Sequence, residues 1–186
     1  IPSHEWKLAT KGVAWTPGET VVAGIGQGYV LTTPMQLAVM TARIANGKDA
    51  VVPSLLSTPN GVGRNFSPLD ISESALAVIR RGMSAVLYGG AGTANKYKLS
   101  KKYGGMAGKT GTVQVKRITL AQREKGIRKN IDRPWKERDH ALFVAYAPIK
   151  NPRYAISVIV EHGGSGSSTA APIARDILTK TIKARG

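Results

Sequence analysis

The 186-residue chain has no cysteine, only two phenylalanines, and 11 acidic residues against 27 lysines and arginines. The missing cysteines exclude disulfides and thiolate metal sites, and they leave the compartment open, since periplasmic proteins also do without them. With 2 Phe, 3 Trp and 6 Tyr, none interleaved with basic residues and glycine, the chain has no stacking platform for single-stranded nucleic acid, and no nucleic acid is expected as a partner. A net charge of +16 attracts nucleic acid, anionic lipid and acidic polymers alike, so its sign selects no partner. No run approaches the roughly 18 uninterrupted apolar residues of a membrane span. The start, Ile1-Pro2-Ser3-His4-Glu5-Trp6, lacks an initiating Met and the basic-then-apolar layout of a secretion signal. It reads as the start of a mature product or of a fragment.

What is present is 42% hydrophobic sequence, enough to bury a core. Thr16-Pro17-Gly18-Glu19-Thr20 reads as a turn, and the glycines at 24, 26 and 28 as a close-packed backbone turn, without the dinucleotide fingerprint. Thr33 with Gln36 makes a capping box, Pro34 suits the first helical position and Asn46-Gly47 supplies a stop, so a helix is expected between them. Its two apolar stripes, Met35-Ala38-Val39-Ala42 and Leu37-Met40-Ile44, predict burial around most of its circumference. A second helix is expected from about Ser72 to Leu87, with Gly82 marking close packing. Met35, Met40 and Met83 read as core filler.

Strands are expected at about Ala141–Ala147 and Tyr154–Glu161, joined across Pro148–Arg153 as an antiparallel hairpin. His162 to Ser168 reads as a flexible Gly/Ser turn before a final helix from near Thr169 that covers the sheet. Between the first strand and the hairpin, Lys116 to Asp139 carries nine Lys/Arg against four Asp/Glu without apolar period, and reads as an exposed, mobile, charged insertion. As Asp139-His140 and Glu161-His162 are adjacent pairs on strands, their side chains diverge, and no metal site or cofactor is expected. No Gly-x-Ser-x-Gly elbow exists for a hydrolytic triad.

The stretch Gly104-Gly105-Met106-Ala107-Gly108-Lys109-Thr110-Gly111-Thr112-Val113-Gln114-Val115 carries the clearest chemistry. A phosphate loop is excluded, because that pattern needs glycine five residues before Gly108 and finds Tyr103. The β-formers Thr112, Val113 and Val115 also oppose the helix that such a loop must open, so the stretch reads as a strand. Alternation puts Thr110 and Thr112 on one face and Lys109 on the other.

Around this motif stand Trp15 with Gly18-Glu19-Thr20, Ile25-Gly26-Gln27-Gly28-Tyr29, Thr33-Pro34-Met35-Gln36-Leu37-Ala38, Arg80-Arg81-Gly82-Met83, Gly92-Thr93-Ala94, Ala145-Tyr146-Ala147-Pro148 and His162-Gly163-Gly164. Together they resemble class B penicillin-binding proteins, closest to the cell-elongation type, from Ile1 to the C-terminal helix. Lys-Thr-Gly is the third catalytic motif of that family, after Ser-x-x-Lys and Ser-x-Asn.

The resemblance implies an α+β fold of the penicillin-binding and serine β-lactamase type, of which this chain is the C-terminal portion. That portion holds three antiparallel strands of a five-stranded sheet, the last helix and part of the helical subdomain. It implies a peptidoglycan D,D-transpeptidase that cross-links stem peptides through a serine acyl-enzyme, is inactivated by β-lactam antibiotics and works with the cell-elongation machinery. By the family pattern Lys109 is catalytic, supplying positive potential and helping the proton relay. Thr110 and Thr112 bind the substrate carboxylate, Gly111 leaves room for it, and the backbone N–H of Thr112 faces the oxyanion. The expected location is the periplasmic face of the bacterial inner membrane, with the anchor outside this chain. No serine here is followed three residues later by lysine, and no Ser-x-Asn occurs. The chain is therefore expected to be a C-terminal piece of one transpeptidase domain, inactive alone. A basic polyanion- or nucleic-acid-binding module is the alternative, and a serine β-lactamase fits the landmarks less well.

Overall fold

The computed structural model describes residues 2–55, 65–116, 118–124, 126 and 128–185, in two compact units, Ile1–Thr33 and Pro34–Gly186. In the first, helix α1 spans His4–Lys11, capped by the Ser3 hydroxyl, which accepts from the Trp6 N–H at 3.1 Å. Helix α2 spans Pro17–Gly24, where a turn was expected. Capping decides the difference. The Glu19 carboxylate accepts from the Thr16 N–H at 2.7 Å and the Thr16 hydroxyl at 2.9 Å, and Pro17 takes the first helical position, so the turn-forming residues start a helix. Lys7, only 4% exposed, donates to the Ala14 carbonyl at 2.6 Å and to the Glu19 carboxylate at 2.7 Å. Gly26 and Gly28 both have positive φ, 73° and 69°. Gly26 faces open space, so backbone conformation rather than close packing calls for its glycine.

The second unit is built on a three-stranded antiparallel sheet in the order β1-β2-β3: Ala107–Val113, His140–Ala147 and Tyr154–Val160. The register pairs Thr110 with Phe143 and Ala145 with Ile156. Helices α3 (Pro34–Asn46) and α4 (Glu73–Tyr88) precede the sheet, α5 (Leu120–Glu124) lies between β1 and β2, and α6 (Ala171–Arg185) follows β3. Strand alternation divides the core. Ala141, Phe143, Ala145 and Ala147 pack with Ala171, Ala174 and Leu178 of α6, together with Leu87 and Met106. Ala107 and Tyr146, paired across β1 and β2, pack with Ala45 and Met83.

Several expectations give way here. Helix α3 is fully buried only at Thr41 and Ala45, because a single flank meets β3 and β2, and Met35 and Met40 stand 55% and 44% exposed. Of the methionines read as core filler, Met83 alone fits, at 6% exposure. Gly82 faces open space and is not a close-packing position. The Gly/Ser segment is no plain turn: residues Gly166–Ala170 form a π-helical turn leading into α6. Most described residues of 116–139 are exposed, and within the segment Lys116 pairs with Glu137 at 2.7 Å and Arg133 with Asp139 at 3.3 Å.

Candidate active-site strand

Strand β1 pairs with β2 along one edge and has no strand on the other among the described residues. Its entry is tightly held. A side chain at Gly108 would come within 2.6 Å of the Phe143 ring and of the Val144 carbonyl oxygen, so glycine lets β1 and β2 approach at the head of the motif. Lys109 is exposed and sits opposite Val144. Its ammonium donates to the Thr110 carbonyl at 2.8 Å.

Thr110 and Thr112 face the same way, opposite Phe143 and Ala141. Alternation brings these two together and leaves Lys109 on the other face, so the sequence-expected residues share a strand edge without sharing a face. Thr110 is half-buried and Thr112 exposed. A side chain at Gly111 would meet Leu142 Cβ at 3.2 Å, and the Gly166 backbone lies so near Gly111 and the Leu142 carbonyl that a side chain at 166 has no room. The π-helical turn therefore backs the strand directly at Gly111.

Two residues join this neighbourhood to which sequence reasoning gave no site role. The Thr93 hydroxyl lies 3.1 Å from the Thr110 hydroxyl. Gly166 packs on Gly111. The signal for Thr93 was the run Gly92-Thr93-Ala94 after a helix, whereas nothing local distinguishes Gly166 from its neighbouring glycines. Further along the sheet, the His162 N–H donates to His140 Nδ1 at 2.9 Å, His162 Nδ1 lies 2.9 Å from the Arg138 carbonyl, and the Trp135 ring lies tilted at 58° against His162 with ring centres 4.3 Å apart. Asp139 turns to Arg133 instead of either histidine. Among the described residues no three His, Asp or Glu side chains gather as metal ligands.

A Lys-Thr-Gly-Thr edge strand, packed on α4 in a sheet whose other two strands meet the C-terminal helix, and preceded by a Gly-Thr-Ala run, points to a class of protein. The profile of the family described as "Penicillin binding protein transpeptidase domain" matches residues 4–179, and the chain belongs to that family. Among its relatives, the peptidoglycan D,D-transpeptidase MrdA of Haemophilus influenzae is 36% identical over 197 residues, covering 100% of this chain and 29% of the relative. Its namesake from Escherichia coli K12 is 33% identical, covering 96% of this chain and 28% of the relative. The chain thus spans under a third of their length.

Solved structures agree. PBP2 of Pseudomonas aeruginosa, in complex with WCK 5153, superposes with a TM-score of 0.74 at 38% identity, covering 95% of this chain and 35% of that one. PBP2 of Helicobacter pylori, in complex with MreC, gives 0.75 at 31% identity, covering 98% and 30%. The α+β transpeptidase fold and the PBP2 type expected from the motifs are thereby established for this chain.

Proposed function

We propose that this chain is the C-terminal part of the transpeptidase domain of a peptidoglycan D,D-transpeptidase, and that β1 is the wall of its active site that anchors the terminal carboxylate of a stem peptide or a β-lactam. The observation that carries the reading is Lys109-Thr110-Gly111-Thr112 on a strand with an open edge, its two threonines aligned on one face.

The chemistry divides accordingly. A carboxylate in water is well solvated, so a site that binds it must replace water with a cation and hydroxyl donors. Lys109 supplies the positive potential, and the Thr110 and Thr112 hydroxyls supply donors on the shared face. Gly111 alternates onto the Lys109 face, where its missing side chain keeps the strand surface low beside the ammonium. In the acyl-transfer step a serine oxygen bonds to the penultimate D-Ala carbonyl carbon, the peptide bond breaks, and the terminal D-Ala amine leaves with a proton. Charge builds on the carbonyl oxygen, where the Thr112 N–H donates. The serine belongs to a Ser-x-x-Lys outside these 186 residues, so this chain alone forms no acyl-enzyme. No helix of the described residues is long and apolar enough to cross a membrane, and the periplasmic anchor is assigned to the remainder of the parent protein. The parent's partners are stem peptides, β-lactams and the cell-elongation machinery.

The test is acylation of the parent polypeptide by a fluorescent penicillin. Lys109→Met is expected to slow it by about 100-fold, the scale seen when a transition-state donor is removed, while melting temperature is unchanged. Acylation of that variant at the parent's rate refutes the assignment.

A further inference from the structure

Thr93 lies outside the Lys-Thr-Gly-Thr run, in the connection after α4, and both of its neighbours fix it. Gly92 packs so closely on the carbonyls of Ala85 and Val86 that no side chain fits there. Ala94 is 1% exposed, its N–H donates to the Val86 carbonyl at 3.0 Å, and its own carbonyl accepts from the Tyr97 N–H at 2.9 Å. A backbone pinned on both sides presents the Thr93 hydroxyl 3.1 Å from that of Thr110, 17 residues away in sequence. Among the described residues Thr110 is the hydrogen-bond partner of that hydroxyl.

A hydroxyl carries one proton and two lone pairs. To donate its proton to a carboxylate, Thr110 must aim that proton at the open face. A donor behind the oxygen favours this, since accepting one hydrogen bond orients the proton away from the donor and strengthens the next bond in the chain. Lys109 does not compete for that oxygen, because its ammonium sits on the Thr110 carbonyl. The β-branched Thr110 side chain is itself stiff about χ1, so the hydroxyl rotor is the remaining freedom to be fixed.

We infer that Thr93 is a positioning residue of the carboxylate site, donating to the Thr110 hydroxyl and turning its proton toward the ligand carboxylate. The inference rests on the reading of β1 as the carboxylate wall.

The experiment uses the parent polypeptide with its serine and resolves acylation by a fluorescent penicillin into a non-covalent dissociation constant and a first-order acylation constant. Thr93→Val is expected to raise the dissociation constant about tenfold, with the acylation constant within about twofold of the parent, the effect of impairing one hydrogen bond to a charged group. Thr93→Ser restores tight binding. Combined with Thr110→Val, the Thr93 change adds no further loss. Measured by competition with a penicillin ester, which has no carboxylate, the difference between parent and Thr93→Val disappears. Binding of Thr93→Val equal to the parent, failure of serine to restore it, or an equal loss with the ester overturns the inference. If Thr110→Val weakens binding and Thr93→Val does not, the role of Thr93 falls and the reading of β1 stands. If neither weakens it, both fall. Should the valine variant not fold, Thr93→Ala gives the same reading.

Discussion

Gly108 decides how closely β1 and β2 lie at the head of the Lys-Thr-Gly-Thr run. Any side chain there meets the Phe143 ring and the Val144 carbonyl at 2.6 Å, so Gly108→Ala is expected to cost about 1–3 kcal/mol, the range of overpacking in a filled core. Chemical denaturation of the two forms checks this, and equal stability contradicts it. That Thr110 and Thr112 share a face could be read in the sequence because a strand's period of two follows from local pattern alone, whereas their choice with Lys109 as site residues came from the family resemblance. The crowding at Gly108 and Gly166 could not be read in the sequence, since it arises from Phe143, Leu142 and Gly111 brought together by the sheet.

Glu19 gives the residue scale its pH dependence. Its carboxyl is held below the ordinary 4.5, first by the Lys7 ammonium and then by the Thr16 N–H, against a smaller desolvation effect. A carboxyl lower in the folded than the unfolded state contributes stability that is present above the unfolded value and is lost as pH falls through the folded one. The α1–α2 unit should therefore lose helix on acidification below about pH 4.5, and Glu19→Gln should flatten that dependence in far-ultraviolet circular dichroism. An acid transition of the same depth in the glutamine form would show that Glu19 is not responsible.

At the scale of elements, Arg80 ties α4 to the end of α3. Its Nε donates to the Ile44 carbonyl at 2.7 Å and its Nη2 to the Ala45 carbonyl at 3.0 Å. The last carbonyls of a helix lack partners within it and carry the negative end of the helix dipole, so a guanidinium there both satisfies and neutralises them. Arg80→Ala is expected to destabilise the second unit by about 1.5–3 kcal/mol, as for hydrogen bonds to a charged group. Arg80→Lys should recover only part of that, lacking the planar fork. Thermal melting measures both, and a lysine variant as stable as the parent would mean that charge alone suffices. Asn46-Gly47 announced the end of α3 in the sequence. The arginine that caps it, 36 residues from Ile44, had no local signal.

Other elements were legible in proportion to how local their causes are. The hairpin of β2 and β3 followed from runs of Val, Ile, Phe and Tyr between turn residues, and α4 from its caps and spacing. Helix α2 was misread because Thr16, Pro17 and Gly18 suit a turn as well as a helix start, and the deciding contact is the Glu19 carboxylate reaching back to Thr16. The exposure of α3 escaped because hydrophobic periodicity reports that a face is apolar, not what covers it.

At the scale of the whole molecule, 27 basic against 11 acidic residues told less than one strand did, because charge attracts polyanions without discrimination whereas Lys109 to Thr112 form a particular arrangement of donors. The family could be read from landmarks spread along the chain, and the profile match over residues 4–179 bears that reading out. The proposed active site was legible only as far as the Lys-Thr-Gly motif and the family resemblance reach. The central claim is that these residues form one wall of a penicillin-binding site whose nucleophile lies elsewhere in the parent protein. The most direct measurement is covalent labelling by a fluorescent penicillin of two polypeptides side by side, the 186-residue chain and the parent with its Ser-x-x-Lys. The account predicts label on the parent and none on the shorter chain, and a covalent adduct on the 186 residues alone would contradict it.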